Sequence, residues 1–295
     1  MFAFKRQSAS DAVFDMINNF VMLCICFMTL YPIWYVVVNA FNDGADAMRG
    51  GIYWWPRQFS LESFRAVFSS SGIMTAMGVT VAKTVIGTVV HVFFTAMVAY
   101  AVSRRELIGR KLYMIIGTIT MFFGGGLIPY YLLIRDLGLL DSFLVYIIPA
   151  MFSFFDLIIF LSFFREIPEA LEEAAKIDGA HDFRIFYSVI IPSSMPVIAT
   201  IGLFHGVYQW NDYFTGMIYI NNTDLQPIQT FLFRVVAQSS SNQMLASMPS
   251  GVAVTVTSQS LKLATMVVTT APIVFVYPFL QKYFVKGFML GAIKG

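Results

Sequence analysis

Six long apolar segments divide the chain, and shorter polar stretches separate them. Each segment is long enough to cross the ~30 Å hydrocarbon core of a bilayer as a helix. The segments lie near residues 14–41, 73–102, 112–134, 142–164, 194–220 and 261–284. No internal repeat or linker interrupts the pattern. It predicts an all-α membrane protein, a helical bundle of six transmembrane helices forming one domain over residues 1–295.

Basic residues are distributed unevenly between the polar stretches. One alternate set (the N-terminus, 103–112, 165–192 and the tail) holds 12 Lys and Arg, and the other holds 5. Two more, Lys83 and Lys262, fall inside spans, which accounts for all 19. Cytoplasmic loops carry the excess of positive charge. We therefore expect both termini and the loop 165–192 in the cytoplasm. The first segment has no clear signal-cleavage site, so it is expected to remain as an anchor.

The loop 165–192 is the most polar passage between two apolar segments. Pro168 suits the first position of a helix, and Glu169, Glu172 and Glu173 suit the positive end of its dipole. Apolar residues at helical spacing add a stripe: Ala170, Leu171, Ala174, Ala175 and Ile177. The loop is therefore predicted to begin with an amphipathic helix.

A sharp corner is predicted to follow this helix. Gly179 can end the helix because a residue without Cβ adopts a left-handed conformation at little cost. Asp182 is placed to cap a second short helix, in which Phe183 and Phe186 recur about one turn apart. Pro192 is predicted to end the unit. Two short helices joined at a corner would form a rigid projection.

The same stretch resembles a known family motif. Glu-Ala-Ala at 173–175, Gly179, and Val189, Ile191 and Pro192 match the spacing of the "EAA" cytoplasmic loop in membrane subunits of bacterial ABC importers. Residues 124–129, 137–139, 210–212 and 277–295 are similar to the carbohydrate branch of that family, and within it to the LplC-like permeases. The chain departs from the pattern mildly, with Ile191 in place of the usual Leu and with His181 where a small capping residue is common.

The resemblance implies a type I importer permease fold in the bacterial cytoplasmic (inner) membrane. It implies four partners besides lipid: a second, homologous permease subunit, a dimeric ABC ATPase, an extracytoplasmic sugar-binding protein and an oligosaccharide substrate. ATP and Mg would be bound by the ATPase, so this chain itself needs no cofactor. The residues expected to couple to the ATPase are Glu173, Ala174, Ala175, Asp178, Gly179, Ala180, Phe183, Phe186 and Pro192.

Composition and missing motifs restrict the function further. The chain is 58% hydrophobic and 12% charged, with a mean hydropathy of +0.71 and a net charge of only +2, which gives no indication of nucleic-acid binding. It has no Gly-x4-Gly-Lys-Ser/Thr loop, no His-Glu-x-x-His and no Gly-x-Ser-x-Gly. The histidines are scattered singly, and Cys24 and Cys26 face different sides of a helix. No catalytic or metal site is therefore predicted.

Polar residues inside the spans are the candidates for a substrate path, because ionisable groups are costly there. Asp156 is expected to face a cavity. Trp210, Asn211 and Asp212 offer an indole, an amide and a carboxylate, which suit a hydroxyl-rich sugar or, alternatively, an interhelical hydrogen-bond cluster. Lys83 could join them or extend to the outer surface.

Glycines interrupt the third span. Gly124, Gly125 and Gly126 precede Pro129, and a broken helix at membrane depth is tolerated where it is buried in protein or lines a water-filled cavity. A tight helix crossing is the alternative explanation.

These features favour the permease subunit of an ATP-driven importer of oligosaccharides, including acidic alginate- or pectin-type fragments. Lys83 and Arg234 could assist a uronic-acid unit. A membrane-embedded enzyme using Asp156 and Asp212 is the alternative, although the sequence places these carboxylates toward opposite membrane halves. A secondary carrier would show paired inverted repeats.

Overall fold

The computed structural model describes residues 9–237 and 257–292, with side chains described to residue 275. Regular structure within these ranges is helical, apart from an isolated bridge between Asn42 and Phe59. The helices are α1 Ala9–Ala40, α2 Gly44–Ala47, α3 Glu62–Ser69, α4 Ser71–Ser103, α5 Arg110–Phe122, α6 Leu127–Asp136, α7 Phe154–Phe164, α8 Glu169–Ile177, α9 Asp182–Ile185, α10 Ile191–Ser193, α11 Met195–Asn211, α12 Phe214–Tyr219, α13 Ile228–Val236 and α14 Ser258–Ala292. The bundle is therefore all-α in the part that is described.

In the described part of the chain, two continuous helices are long and apolar enough to cross a membrane. These are α1, apolar over Val13–Ala40, and α4, whose 33 residues extend about 50 Å at 1.5 Å per residue. Two bent pairs could each form one further span. The first is α5 with α6, bent by 118°, and the second is Asp182–Ser193 with α11, bent by 83°.

The predicted third and fourth spans are not continuous helices. Residues 112–134 are broken at Phe123–Gly126, where Gly126 has φ +84°, so the predicted interruption is confirmed. Residues 142–164 begin with a 3₁₀ turn at Phe143–Tyr146, and regular α-helix starts only at Phe154. The 11 residues of α7 are too few to cross a bilayer alone. Pro149 and the cap at Ser153 account for the late start, because proline cannot donate a helical hydrogen bond.

The described chain forms two compact units. The first comprises the described residues of Met1–Ser70 and Val235–Thr269, and the second those of Ser71–Arg234 and Thr270–Gly295. In the first unit the segment that follows α1 is fixed by Asp46, whose carboxylate accepts hydrogen bonds from Asn42 and Arg57. Trp34 also donates its indole N–H to the backbone oxygen of Trp54.

The second unit is organised around α4. This helix packs against α11 and α7, and it buries Ala96, Ala99 and Tyr100 at one end against Leu157 and Phe160. A separate cluster near the other end contains Ile134, Val145, Tyr146, Tyr219 and Ile220. The candidate site lies along this framework.

Candidate functional site

The loop predicted to carry the coupling motif forms a helix, a corner and a second helical segment. Helix α8 starts directly after Pro168, which is its N-cap residue, and Gly179 has φ +77°, so the left-handed corner is confirmed. The predicted cap was wrong: Asp182 is the first helical residue, and His181 precedes it without a side-chain cap bond. The start of α9 is therefore stabilised by backbone hydrogen bonds and by packing, and not by a side-chain cap.

The end of this loop also differs from the prediction. Phe186–Ile190 forms a π-turn, in which the Ile191 N–H bonds to the Phe186 oxygen, and helical structure continues through Pro192 to Ser193. Proline has no N–H to donate to Ser188, which accounts for a local departure from regular α-helical bonding. The bend lies at Ser194, two residues later than predicted.

The outward surface of this loop is partly apolar. Leu171, Ile177 and Phe183 are 47%, 86% and 55% exposed, and Glu173 is exposed among them. Ala174, Asp178, Gly179 and Pro192 are exposed as well. An amphipathic helix normally buries its apolar stripe. Here Leu171, Ala174 and Ile177 of the predicted stripe are uncovered within the described chain, as a surface that binds another protein would be.

The inner side of the loop is firmly attached to the spans. Ala175 and Ala180 pack against the cluster in which Ile185 and Phe186 are fully buried together with residues of α4, α7 and α11. Arg104, just after α4, forms an ion pair with Glu172, and Arg105 pairs with Glu169 at 3.1 Å. The loops 103–112 and 165–192 therefore lie at the same end of this unit, as the charge pattern predicted.

A cavity of about 280 Å³ begins at the glycine break. Its walls include Gly126, Leu127, Tyr130, Ile134, Val145, Tyr146, Pro149, Ala150, Tyr208, Gln209, Asp212, Phe214, Thr215 and Tyr219. A Cβ added at Gly124 or Gly126 would meet nothing within 4 Å in the described chain. The glycines are therefore not explained by a tight helix crossing within this chain, and the break borders a cavity as predicted.

Lys83 is not at the outer surface. Its side chain is 0% exposed, and its Nζ donates to the Asp212 backbone oxygen at 2.9 Å and to Asp212 Oδ2 at 3.1 Å. The ring of Tyr146 lies 4.8 Å from the same nitrogen. The extended, surface-seeking conformation considered for Lys83 is thus wrong. The structure brings Lys83 and Asp212 together as an ion pair between α4 and the end of α11.

Asp156 has a different partner on α4. Its Oδ2 is 2.9 Å from His91 Nε2, while His91 Nδ1 is 2.7 Å from the oxygen of Ala150. A carbonyl oxygen only accepts, so Nδ1 carries a hydrogen, and the contact to Asp156 then requires one more proton on either partner. The His205 ring stacks on His91 with centroids 3.7 Å apart. Asp156 therefore participates in an interhelical network, and it does not line the cavity.

The other predicted path residues are divided by the structure. Asp212 lines the cavity, whereas Trp210 and Asn211 do not, and Asn211 donates to the Val207 oxygen of its own helix. Sequence reasoning missed Tyr130, Tyr208 and Gln209. Tyrosines are common in apolar spans, so the residue type gave no signal. Only the proximity of these residues to the glycine break and to Asp212 in the sequence could have indicated them.

The two intramembrane carboxylates are not assembled into a catalytic pair. Asp212 bonds to Lys83 and Asp156 to His91, and each therefore has its own partner on α4. Among the described residues, no group of three or more His, Cys, Asp or Glu could hold a metal ion. The geometry gives no support to the alternative of a membrane-embedded enzyme.

Comparison with known proteins identifies the family. Residues 1–289 match the family described as "Binding-protein-dependent transport system inner membrane component". The chain is 41% identical to the polygalacturonan/rhamnogalacturonan transport system permease protein YtcP of Bacillus subtilis (strain 168), over 97% of this chain and 99% of that protein. It is 38% identical to protein LplC of the same organism, over 98% of both.

A solved structure agrees with these relatives. A chain of a bacterial ABC transporter involved in the import of the acidic polysaccharide alginate is 30% identical, with a TM-score of 0.87 over 95% of this chain and 99% of that one. The relatives are transport permeases, and this chain is likewise a transport component rather than an enzyme. The chain belongs to the family of inner membrane components of binding-protein-dependent transport systems.

Proposed function

We propose that this chain is the permease subunit of an ATP-driven importer that carries oligosaccharides containing acidic sugar units into the cell. The names of its relatives support this substrate class, since they refer to polygalacturonan, rhamnogalacturonan and alginate. A second permease would complete the translocation path, and an extracytoplasmic sugar-binding protein would deliver the substrate. A separate dimeric ATPase, which binds ATP and Mg, would supply the energy.

The observation that carries the proposal is the uncovered face of the loop from Glu169 to Pro192. Leu171, Ile177 and Phe183 are exposed on one side, while Ile185 and Phe186 are buried among the spans on the other. A movement of a partner bound to the uncovered face would therefore be transmitted to α4, α7 and α11. Glu173 would meet a basic group or backbone amides of the ATPase.

The cavity supplies the substrate side of the proposal. Phenol rings can cover the apolar face of a sugar, and phenol hydroxyls and the Asp212 carboxylate can bond to its hydroxyl groups. Asp156 and Lys83 would then hold the helices around the path, because their observed partners are protein groups on other helices. Asn211 bonds within its own helix, and Trp210 does not line the cavity.

Copurification with the ATPase tests the coupling surface. Replacing an exposed apolar contact with a charge, Ile177→Asp, should reduce ATPase recovery, since a buried isoleucine contributes ~1.5–3 kcal/mol. Ile108→Asp is the matched control, because Ile108 is 91% exposed in the neighbouring loop 103–112. Equal ATPase recovery with both variants and the wild type would contradict the assignment.

The transport activity itself needs a second measurement. The complete reconstituted importer should show ATPase activity that rises with an oligosaccharide, and uptake should require this chain. If amino acids or metal ions stimulated turnover and no sugar in an acidic and neutral panel did, the proposed substrate class would be wrong.

A further inference from the structure

The cavity at the glycine break is built from aromatic and neutral polar groups. Tyr130, Tyr146, Tyr208 and Tyr219 contribute to its wall, with Gln209 and Thr215 beside them. Its volume of about 280 Å³ is near the lower limit of small-molecule sites, which hold ~300–1,000 Å³. The space suits a single sugar unit of a longer chain.

The charge of the cavity wall is the informative feature. Among the described residues, Asp212 is the only Asp, Glu, Lys, Arg or His in the wall. Lys83, which pairs with Asp212, is fully buried behind the wall and has no surface in the cavity.

All three hydrogen-bond donors of this ammonium group have partners. The backbone oxygen and Oδ2 of Asp212 accept two, and the Tyr146 ring lies in position for a cation–π contact with the third. Lys83 therefore neutralises Asp212 and is not available to a ligand. A carboxylate entering the cavity would meet phenol rings and the already paired Asp212 carboxylate, and the described residues of the wall offer it no free cation.

For the hydroxyl groups of a sugar, by contrast, the cavity wall offers hydrogen-bond partners. Asp212 accepts one bond from Lys83 at Oδ2 and one from the Thr215 N–H at Oδ1, which leaves lone pairs for sugar hydroxyls. Phenol hydroxyls both donate and accept, and aromatic rings cover the C–H face of a sugar. We propose that this cavity is a subsite for one uncharged sugar unit and that it rejects a uronate carboxylate at that position.

This inference rests on the proposed function and makes it more specific. The cargo would be an oligosaccharide that presents a neutral unit to this chain, and recognition of the acidic units would belong to other components.

Cysteine protection in the assembled transporter tests the subsite directly, without the external binding protein. Cys24 and Cys26 are replaced by alanine, and Thr215→Cys places a thiol in the cavity wall. The two probes are trigalacturonic acid and its carboxyl-reduced form, which differ only in the charged group. The reduced trisaccharide should slow alkylation of this thiol several-fold, and trigalacturonic acid should not.

Thr223→Cys is the matched control, because Thr223 is exposed outside the cavity. Its alkylation rate should be unaffected by either sugar. Equal protection of Thr215→Cys by both sugars, stronger protection by the acid, or no protection at all would overturn the proposal.

A designed cation gives a second, independent measurement that leaves the Lys83–Asp212 pair intact. In the Thr215→Cys background, Tyr130→Arg adds a positive charge to the wall, and Tyr130→Gln is the uncharged control. The arginine variant should shift the protection ratio toward trigalacturonic acid by about tenfold relative to the glutamine variant, equivalent to ~1.4 kcal/mol. An unchanged ratio would contradict a wall that excludes carboxylates for lack of a cation.

Uptake by the complete importer separates the two levels of the proposal. If no oligosaccharide of either charge is taken up, the proposed function fails. If oligosaccharides are taken up but the thiol at position 215 is not protected by the neutral probe, only the subsite assignment fails.

Discussion

Gly179 gives a single-residue test of the coupling loop. Its φ of +77° lies in the left-handed region, while a Cβ there would meet nothing within 4 Å. Backbone conformation and not space is therefore the constraint. Gly179→Val should cost ~1–3 kcal/mol in that conformation and lower transport per ATP hydrolysed, whereas Gly179→Asn should stay close to wild type, because asparagine tolerates positive φ. Equal coupling ratios for the two variants would indicate that the corner need not be rigid.

A charged substitution at the same residue tests the surface around the corner. Aspartate, like asparagine, is tolerated at positive φ, so we expect Gly179→Asp to lower transport through its charge and not through its backbone conformation. Comparing Gly179→Asp with Gly179→Asn in uptake assays isolates that charge. If the aspartate and asparagine variants took up substrate at the same rate, the corner would not contact an acidic or apolar surface of a partner.

Asp156 is a second residue whose role the structure redefines. Its removal in Asp156→Ala would leave His91 Nε2 without its partner and should cost ~1–3 kcal/mol of stability. Asp156→Asn can donate its amide N–H to a neutral His91 that keeps its bond to Ala150. The alanine variant should therefore melt at a lower temperature in detergent than the asparagine variant. Unchanged melting of both, together with an altered choice of sugar, would return Asp156 to the substrate path.

At the scale of elements, α8 is tied to the end of α4 by the pair of Arg104 and Glu172. Both side chains are about one-fifth exposed, and the Arg104 guanidinium also lies 4.1 Å from the Tyr100 ring centroid. Arg104→Glu alone or Glu172→Arg alone should reduce coupled transport through like-charge repulsion of ~1–2 kcal/mol, and the double swap should recover much of it. Initial uptake rates at matched protein levels measure the effect.

Arg105 and Glu169 provide the matched control between the same segments. Their side chains are 86% and 77% exposed, so swapping them should change transport little, by ~0–1 kcal/mol at most. A similar loss from both swaps would mean that the general charge of this surface is important, and not the partly buried contact.

Asp141 links two connecting segments at the opposite end of the second unit. Its Oδ1 accepts the N–H groups of Asn222 and Asn221, which lowers the pKa of the carboxyl, and its φ is +54°. A lowered pKa means that the stabilisation is present above the unfolded-state pKa and is lost as pH falls through the folded-state pKa. We expect this contact to weaken below about pH 4.

Hydrogen exchange tests this prediction, provided that the rates are corrected for the intrinsic effect of pH on amide exchange. The amides of Asn221 and Asn222 should lose protection in acid in the wild type. Asp141→Asn keeps an acceptor oxygen and tolerates positive φ, so its protection should be independent of pH in that range. A parallel loss of protection in the asparagine variant would show that another group titrates.

At the scale of the whole molecule, the predicted orientation in the membrane can be tested with two positions. In a background without Cys24 and Cys26, Ala170→Cys and Thr223→Cys are both exposed in the structure. An impermeant thiol reagent added to intact cells should label position 223 and should reach position 170 only after permeabilisation. The reverse pattern would contradict a cytoplasmic loop 165–192 and an external segment at 221–225.

The sequence alone determined the features that depend on local chemistry. Apolar length predicted the long helices α1 and α4, Gly179 predicted the left-handed corner, and the glycines before Pro129 predicted a broken span. Each of these predictions rests on a property that acts locally. These properties are the number of residues needed to cross a bilayer, the absence of a Cβ in glycine and the absence of an N–H in proline.

Only the tertiary structure decided the partners of the buried polar groups. Lys83 and Asp212 are 129 residues apart in sequence, and His91 and Asp156 are 65 apart. Their pairing follows from the way α4 packs between α7 and α11, where a buried ionisable side chain without a partner is costly. The cavity wall likewise depends on rings from α6, α11 and α12 meeting beside the break. Periodicity places each residue on a helix, but the packing of the helices determines which side chains face each other.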